Sequence, residues 1–300
     1  MDYEEFITCL LAGLQDIYGK EAEITIEKIL KNNGQYYHGL QIAMKTSGNI
    51  IPVIYTDETY EEYKNGSMDM EECVQEIYRT REKYECTDDI LQFVTILTRW
   101  EFVKDKIYPI LLSTEDNREL LQKLVSIPFL DLSIAYIIRG DGGKCVKINR
   151  TMLDIYGIDR QELHGKAMEN VKKDGYRFRD MEDLLKDMLR ESGLSEDILS
   201  VFGEAQHGKM YVLTNSVKLY GAAGILDKKL IREFAAGRSF FILPSAIHET
   251  IFVPDDGRIN SRELDKMVSE INETQVEREE RLADHCYYYD AGEDEIRICG

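Results

Sequence analysis

The chain has 300 residues, 43% hydrophobic and 31% charged, and a formal net charge of −19. That length suits two domains, and a folded chain of this size buries roughly 75% of its unfolded surface without needing staples. The charge argues against a duplex-binding face and against anchorage on an anionic membrane, since both need clustered Lys and Arg. No apolar run approaches the roughly 18 residues of a membrane span, and Met1-Asp-Tyr-Glu-Glu does not open as a signal peptide. The cysteines at 9, 73, 86, 145, 286 and 299 are scattered without a CxxC pair, which reads as reduced thiols in a cytoplasmic protein.

Residues 3 to 18 place Tyr3, Phe6, Ile7, Leu10, Leu11, Leu14, Ile17 and Tyr18 on one helical face, ended by Gly19. The period then drops to two through Glu23 to Glu27, turns at Asn32-Asn33-Gly34, and alternates again at Leu40, Ile42 and Met44. A second turn at Ser47-Gly48-Asn49 leads to a third strand, Ile50 to Tyr55, whose Pro52 marks an edge. A helix and a three-stranded meander are therefore expected first.

From Asp57 the pattern becomes helical and acidic, with 12 acidic and 4 basic residues up to Asp89. Ser67 is expected to cap a helix whose buried stripe is Met70, Cys73, Val74, Ile77 and Tyr78. A further helix from about Thr87 carries Ile90, Phe93, Val94, Leu97 and Trp100. These helices are expected to connect an N-terminal domain, residues 1–104, to a larger domain, residues 105–300.

Ile107 to Leu112 opens the second half as a strand, and Glu115 to Val125 reads as a helix. Asp131 to Arg139 and Lys144 to Ile148 flank Gly140-Asp-Gly-Gly as a hairpin. Asp159-Arg-Gln-Glu162 opens a helix with Leu163, Ala167, Met168 and Val171 inward, and Met181 to Leu189 gives another, stopped near Gly193. Met210 to Thr214 is a strand; Asp227 caps a helix ended by Gly237. Ser239 to Leu243 and Thr250 to Val253 are buried strands, and Asn260 starts a helix with Leu264, Met267, Val268 and Ile271. The chain closes with a hairpin, Cys286 to Tyr289 and Ile296 to Cys299, around Gly292. Short turns between strands allow only antiparallel pairing, and regular βαβ winding is absent, so the class is α+β: mostly antiparallel sheets with amphipathic helices.

Chemistry concentrates between the two buried strands, where Ser245, His248 and Glu249 offer a hydroxyl, an imidazole and a carboxylate. A nucleophile elbow needs small residues two places either side of its serine; Leu243 and Ile247 stand there, and a strand follows instead of a helix. The competing structural reading has Ser245 and Glu249 satisfying backbone donors above a packed His248. A metal site would join His248 and Glu249 to Asp284 and His285, all proper ligands for zinc or manganese. Phe252, however, occupies the place of a metalloprotease's second histidine. His38 and His164 read as core or boundary histidines and His207 as a loop residue. Gly221-Ala-Ala-Gly224 lacks the spacing of any phosphate loop and reads as close packing. Tyr287-Tyr288-Tyr289, flanked by carboxylates, reads as alternate burial in a strand and not as a base-stacking platform.

The segments Met210 to Asn215, Tyr220 to Leu226, Phe240 to Glu249, Ile271 to Val276 and Asp284 to Tyr289 together resemble a known family. So does Ser113 to Leu132. The family is a group of uncharacterised proteins of anaerobic Firmicutes, known only as a domain of unknown function, and the likeness runs from about Ile107 to Tyr289 and more loosely through the N-terminal third. It implies a bacterial, cytoplasmic protein and carries no activity, cofactor or catalytic residue with it. The leading expectation is a non-catalytic interaction or regulatory protein whose acidic helices take a basic partner. The rival is a hydrolase, with or without a metal, at Ser245, His248 and Glu249.

Overall fold

A computed structural model describes residues 1–45, 51–83, 94–140, 143–192, 209–244 and 246–299. Two compact units divide the chain, residues 1–31 with 35–97 and residues 32–34 with 98–300.

The first unit opens with the helix Tyr3–Tyr18, begun by a reciprocal cap between Asp2 and Glu5. Phe6, Leu10 and Leu14, spaced one helical turn apart, are fully buried. Ile17, expected on the same face, is exposed. Three antiparallel strands follow: β1 (Ala22–Leu30), β2 (Tyr36–Met44) and β3 (Val53–Tyr55). They lie in the order β1-β2-β3, so the meander is as expected and β3 is an edge; the Ser47-Gly48-Asn49 turn is outside the described residues. Leu40 and Ile42 face the helix, and Cys73, Val74 and Ile77 of the helix Met70–Lys83 close the same core. Gly13 permits this packing, because a Cβ there would stand 2.6 Å from Val74 Cγ2.

The cap of the Met70–Lys83 helix differs from the sequence expectation. Asp69 holds it, accepting from Glu72 N at 2.9 Å while Glu72 Oε2 accepts from Asp69 N at 2.8 Å. This reciprocal box satisfies two end donors at once, which Ser67 two residues further out does not do. The helix expected from Thr87 falls largely outside the described residues; Trp100 instead begins a separate short helix, Trp100–Val103.

Among the described residues the second unit holds two antiparallel sheets. In the smaller, β6 (Leu132–Arg139) lies between β4 (Ile107–Ser113) on one side and β5 (Ser126–Phe129) and β7 (Cys145–Lys147) on the other. The β6–β7 hairpin is as read; β5 is an extra strand, and the helix expected over 115–125 shortens to Arg118–Lys123. The larger sheet runs β13-β12-β10-β11-β9-β8, where β8 is Arg177–Asp180, β9 Tyr211–Thr214, β10 Phe240–Leu243, β11 Thr250–Pro254, β12 Tyr287–Asp290 and β13 Glu295–Ile298.

The centre of that sheet is covered on both faces. Phe240 and Phe252 meet Phe234 of the helix Lys228–Ala235, which stacks on Phe178 with ring centroids 3.5 Å apart. Phe241, Leu243 and Val253 point the other way, onto Leu264 and Val268 of the helix Ser261–Gln275. All four residues of β10 are buried, which is why Phe-Phe-Ile-Leu reads as an unbroken apolar run. Each such side chain contributes about 1.5–3 kcal/mol on burial. Along β12, Tyr287 and Tyr289 are buried and Tyr288 is not, the alternation expected of them. Among the described residues no helix is long and apolar enough to cross a membrane.

Candidate functional site

Between β10 and β11, Pro244, Ala246 and Ile247 are each bonded to a neighbouring segment. Pro244 O accepts from Ala283 N at 3.2 Å, Ile247 N donates to Glu280 O at 2.9 Å, and Ala222 N donates to Ile247 O at 3.2 Å. Ala246 forms an antiparallel bridge with Arg281. Ser245 lies outside the described residues.

His248 is engaged on every side. Its Nδ1 accepts from Tyr220 N at 3.1 Å, its Nε2 stands 3.2 Å from Glu280 Oε1, and its carbonyl accepts from Thr214 Oγ1 at 2.9 Å. A backbone N–H on Nδ1 places the ring proton on Nε2, which therefore donates to Glu280. No lone pair is left to draw a proton from a hydroxyl, so this arrangement lacks the base that a serine nucleophile needs. Tyr220, at φ +54°, is held in the left-handed region to present its N–H. Gly221 beside it is a packing requirement, since a Cβ there would lie 2.3 Å from His248 O and 2.4 Å from Thr214 Oγ1. Small-residue packing is thus what Gly221-Ala-Ala-Gly224 supplies, in a buried 3-10 helix.

Glu249 is half-buried; burial raises its carboxyl above the ordinary value, His248 opposes that, and Glu280 adds to it. Asn215 is buried, with its amide committed to Asp174 Oδ2 and Leu219 O, both at 2.9 Å. Of the expected hydrolase residues, His248 and Glu249 are adjacent but built into the sheet connection.

Asp284 and His285 stand elsewhere. The segment pairing runs antiparallel from Ile247–Glu280 to Pro244–Ala283, so His248 and His285 extend toward opposite ends of it. Among the described residues no group of three or more His, Cys, Asp or Glu side chains is placed to hold a metal ion. The four expected ligands, His248, Glu249, Asp284 and His285, are therefore not brought together.

Asp284 and His285 instead line a polar cleft of about 510 Å3, together with Asp116, Asp131, Arg278 and Arg281. Asp284 Oδ1 accepts from buried Asn272 Nδ2 at 2.6 Å. Tyr287 OH donates to Asp131 Oδ1 at 2.7 Å, and Asp131 Oδ2 stands 3.2 Å from His285 Nε2. That last approach is not a hydrogen bond, for Nε2 is buried without an aligned acceptor. Asn33 secures the rim of the cleft: its Nδ2 donates to Arg278 O and Arg281 O at 2.8 and 2.7 Å. Sequence reasoning missed Asp131, which lies 156 residues from the Tyr287 that bonds it and is as remote from His285.

The first unit carries a second opening, a groove of about 400 Å3 lined by Asp69, Glu71, Glu72, Gln75, Glu76 and Arg79. Glu58, Glu61, Asp69, Glu71, Glu72 and Glu82 are exposed along the two acidic helices, Asp57–Lys64 and Met70–Lys83, against exposed Lys64, Arg79 and Lys83. Asp69 and Glu72 belong to the helix cap, which leaves Glu58, Glu61 and Glu71 without that structural duty. His38 sits at the boundary of this unit, with Nδ1 2.8 Å from Asp57 Oδ1; His207 lies outside the described residues.

Fold and surfaces together define an α+β protein of two compact units with a charged cleft in one and an acidic groove in the other. Residues 3–291 match the family of unknown function DUF5688, and the chain belongs to that family. No curated protein and no solved structure matches it.

Proposed function

We propose that the protein is a non-catalytic interaction protein, of regulatory type, that takes a basic partner on the acidic helices of its first unit. The observation that carries this reading is the groove beside the start of the Met70–Lys83 helix, where Glu71 and Glu76 line an open cavity while Cys73, Val74 and Ile77 face the core. Carboxylates gathered on one helical face attract a cationic surface over about a Debye length, 8–10 Å at physiological salt. The test is affinity capture with the wild type and with a Glu58→Lys, Glu61→Lys, Glu71→Lys variant, which spares the cap residues. A basic protein held by the wild type at low salt and lost from the variant supports the proposal. Capture of the same proteins by both overturns it.

One observation favours a second reading, hydrolysis at the polar cleft: Tyr287 fixes Asp131, and Asp131 faces His285. These are the parts of an acid–imidazole pair, whose hydrogen bond a bound substrate would have to align. Hydrolysis of a p-nitrophenyl ester that vanishes in His285→Gln and persists in His248→Gln would establish it, and equal rates in all three proteins would dismiss it.

A further inference from the structure

A pocket of about 360 Å3 in the second unit has the opposite character to the polar cleft. Its walls are hydrocarbon: Phe129 of β5, Ile134 of β6, Met168 of the helix Arg160–Val171, Ile225, Ile231 and Ile296 of β13. Water filling it would amount to about a dozen molecules at liquid density. Against such walls water finds few partners, so an apolar group that replaces it gains free energy. Apolar pockets of about 300–1,000 Å3 with a few placed polar groups are the usual form of small-molecule sites.

The polar groups in this pocket select the head of a ligand. His164 Nδ1 lies 2.9 Å from Tyr136 OH. With the buried phenol donating, Nδ1 is the acceptor and the ring proton sits on Nε2, a donor without a protein partner among the described residues. Burial lowers the His164 pKa, which disfavours the charged ring. Lys228, exposed at the first position of its helix, adds an ammonium with no ion pair among the described residues. Asp294 feels Lys228 as well, but its own charge is balanced by Arg232, whose Nε donates to Oδ2 at 3.1 Å, and it forms no direct ion pair with Lys228. Glu295 is the remaining charged side chain of the lining and is exposed. One imidazole N–H and one ammonium call for an oxygen acid on an apolar body.

We propose that this pocket binds a small aliphatic carboxylate, with its chain against Ile134, Met168, Ile225 and Ile231 and its head toward His164 and Lys228. Titration calorimetry on the full chain with decanoate, decanol and decylamine below their aggregation limits separates the two ends of the ligand. Decanoate is expected to saturate one site and to bind more tightly than the alcohol or the amine. Met168→Trp, which fills the pocket, is expected to weaken decanoate by about tenfold or more. Lys228→Glu is expected to reverse the preference toward decylamine. Glutamate in a first helical turn is favourable, so that variant keeps its fold and the test stands even if the tryptophan disturbs packing. Absence of saturable decanoate binding overturns the proposal, as does binding that both variants leave unchanged or a wild-type preference for the amine.

Discussion

His248 and His285 lie in the same unit and each faces a carboxylate, yet only one of the two rings is closed. His248 receives Tyr220 N on one nitrogen and meets Glu280 on the other, and its carbonyl takes Thr214. His285 meets Asp131 at 3.2 Å without hydrogen-bond alignment, and it borders an open cleft. A ring saturated by backbone and fixed side chains is a structural joint, whereas one held from a single side keeps capacity for a ligand. Neighbouring chemistry in sequence is thus a weaker guide to a site than the number of hydrogen bonds left unspent.

The largest effect should come from disturbing the backing of the closed ring. Gly221→Ala forces a methyl to within 2.3 Å of His248 O and 2.4 Å of Thr214 Oγ1. The first of these is backbone that cannot turn aside, so a loss of about 3 kcal/mol is expected in urea unfolding. A change below about 0.5 kcal/mol would mean that the connection between β10 and β11 is slack.

Removing the rings themselves should separate the two sites. His248→Ala strands the Tyr220 N–H and releases Glu280, a loss of about 1–3 kcal/mol. His285→Ala gives up one partly exposed contact with Asp131 that lacks hydrogen-bond alignment, and the expected loss is under about 1 kcal/mol. Equal losses for the two substitutions would erase the distinction between joint and open site. Asp131→Asn should behave like His285→Ala in stability, because Tyr287 OH can still donate to the amide oxygen.

How much of this could be read beforehand follows from the range over which each feature acts. The class, the N-terminal meander, the paired central strands and the closing hairpin are local patterns of period and turn, and the sequence shows them. β5 and β8 were not read because each is four residues long and carries Pro128 or alternating charge in Arg177-Phe-Arg-Asp180. The helix Arg150–Tyr156, capped by Asn149, is only 7 residues and buries none of them, so no apolar stripe announces it. Ser67 and Asp69 are both residue types that suit a cap, and the reciprocal bonds between Asp69 and Glu72 decide which one holds it. At the sites the distances in sequence are larger still. Tyr220 and Glu280 around His248, and Asp131 beside His285, belong to segments that only the sheet order brings together. His164 reads as a core or boundary residue from its helical face, and its place in an apolar pocket needs β13 to be seated opposite.

Glu249 offers the smallest and most discriminating effect. Burial raises its carboxyl, so the folded state holds its proton more tightly than the unfolded chain does. The associated stability is complete below the ordinary carboxylate pKa of about 4.3 and is lost as pH rises through the folded value. Glu249→Gln keeps the shape, cannot ionise, and so escapes this loss. Melting temperatures of the two proteins should therefore coincide near the acid end and separate toward neutrality, with the glutamine variant higher. The reverse order at neutral pH would show that the ionised carboxylate is held by His248 and Lys218, the two groups that oppose the burial effect. Glu249 would then belong to a charged cluster about His248, and that ring would have to be counted among the open sites.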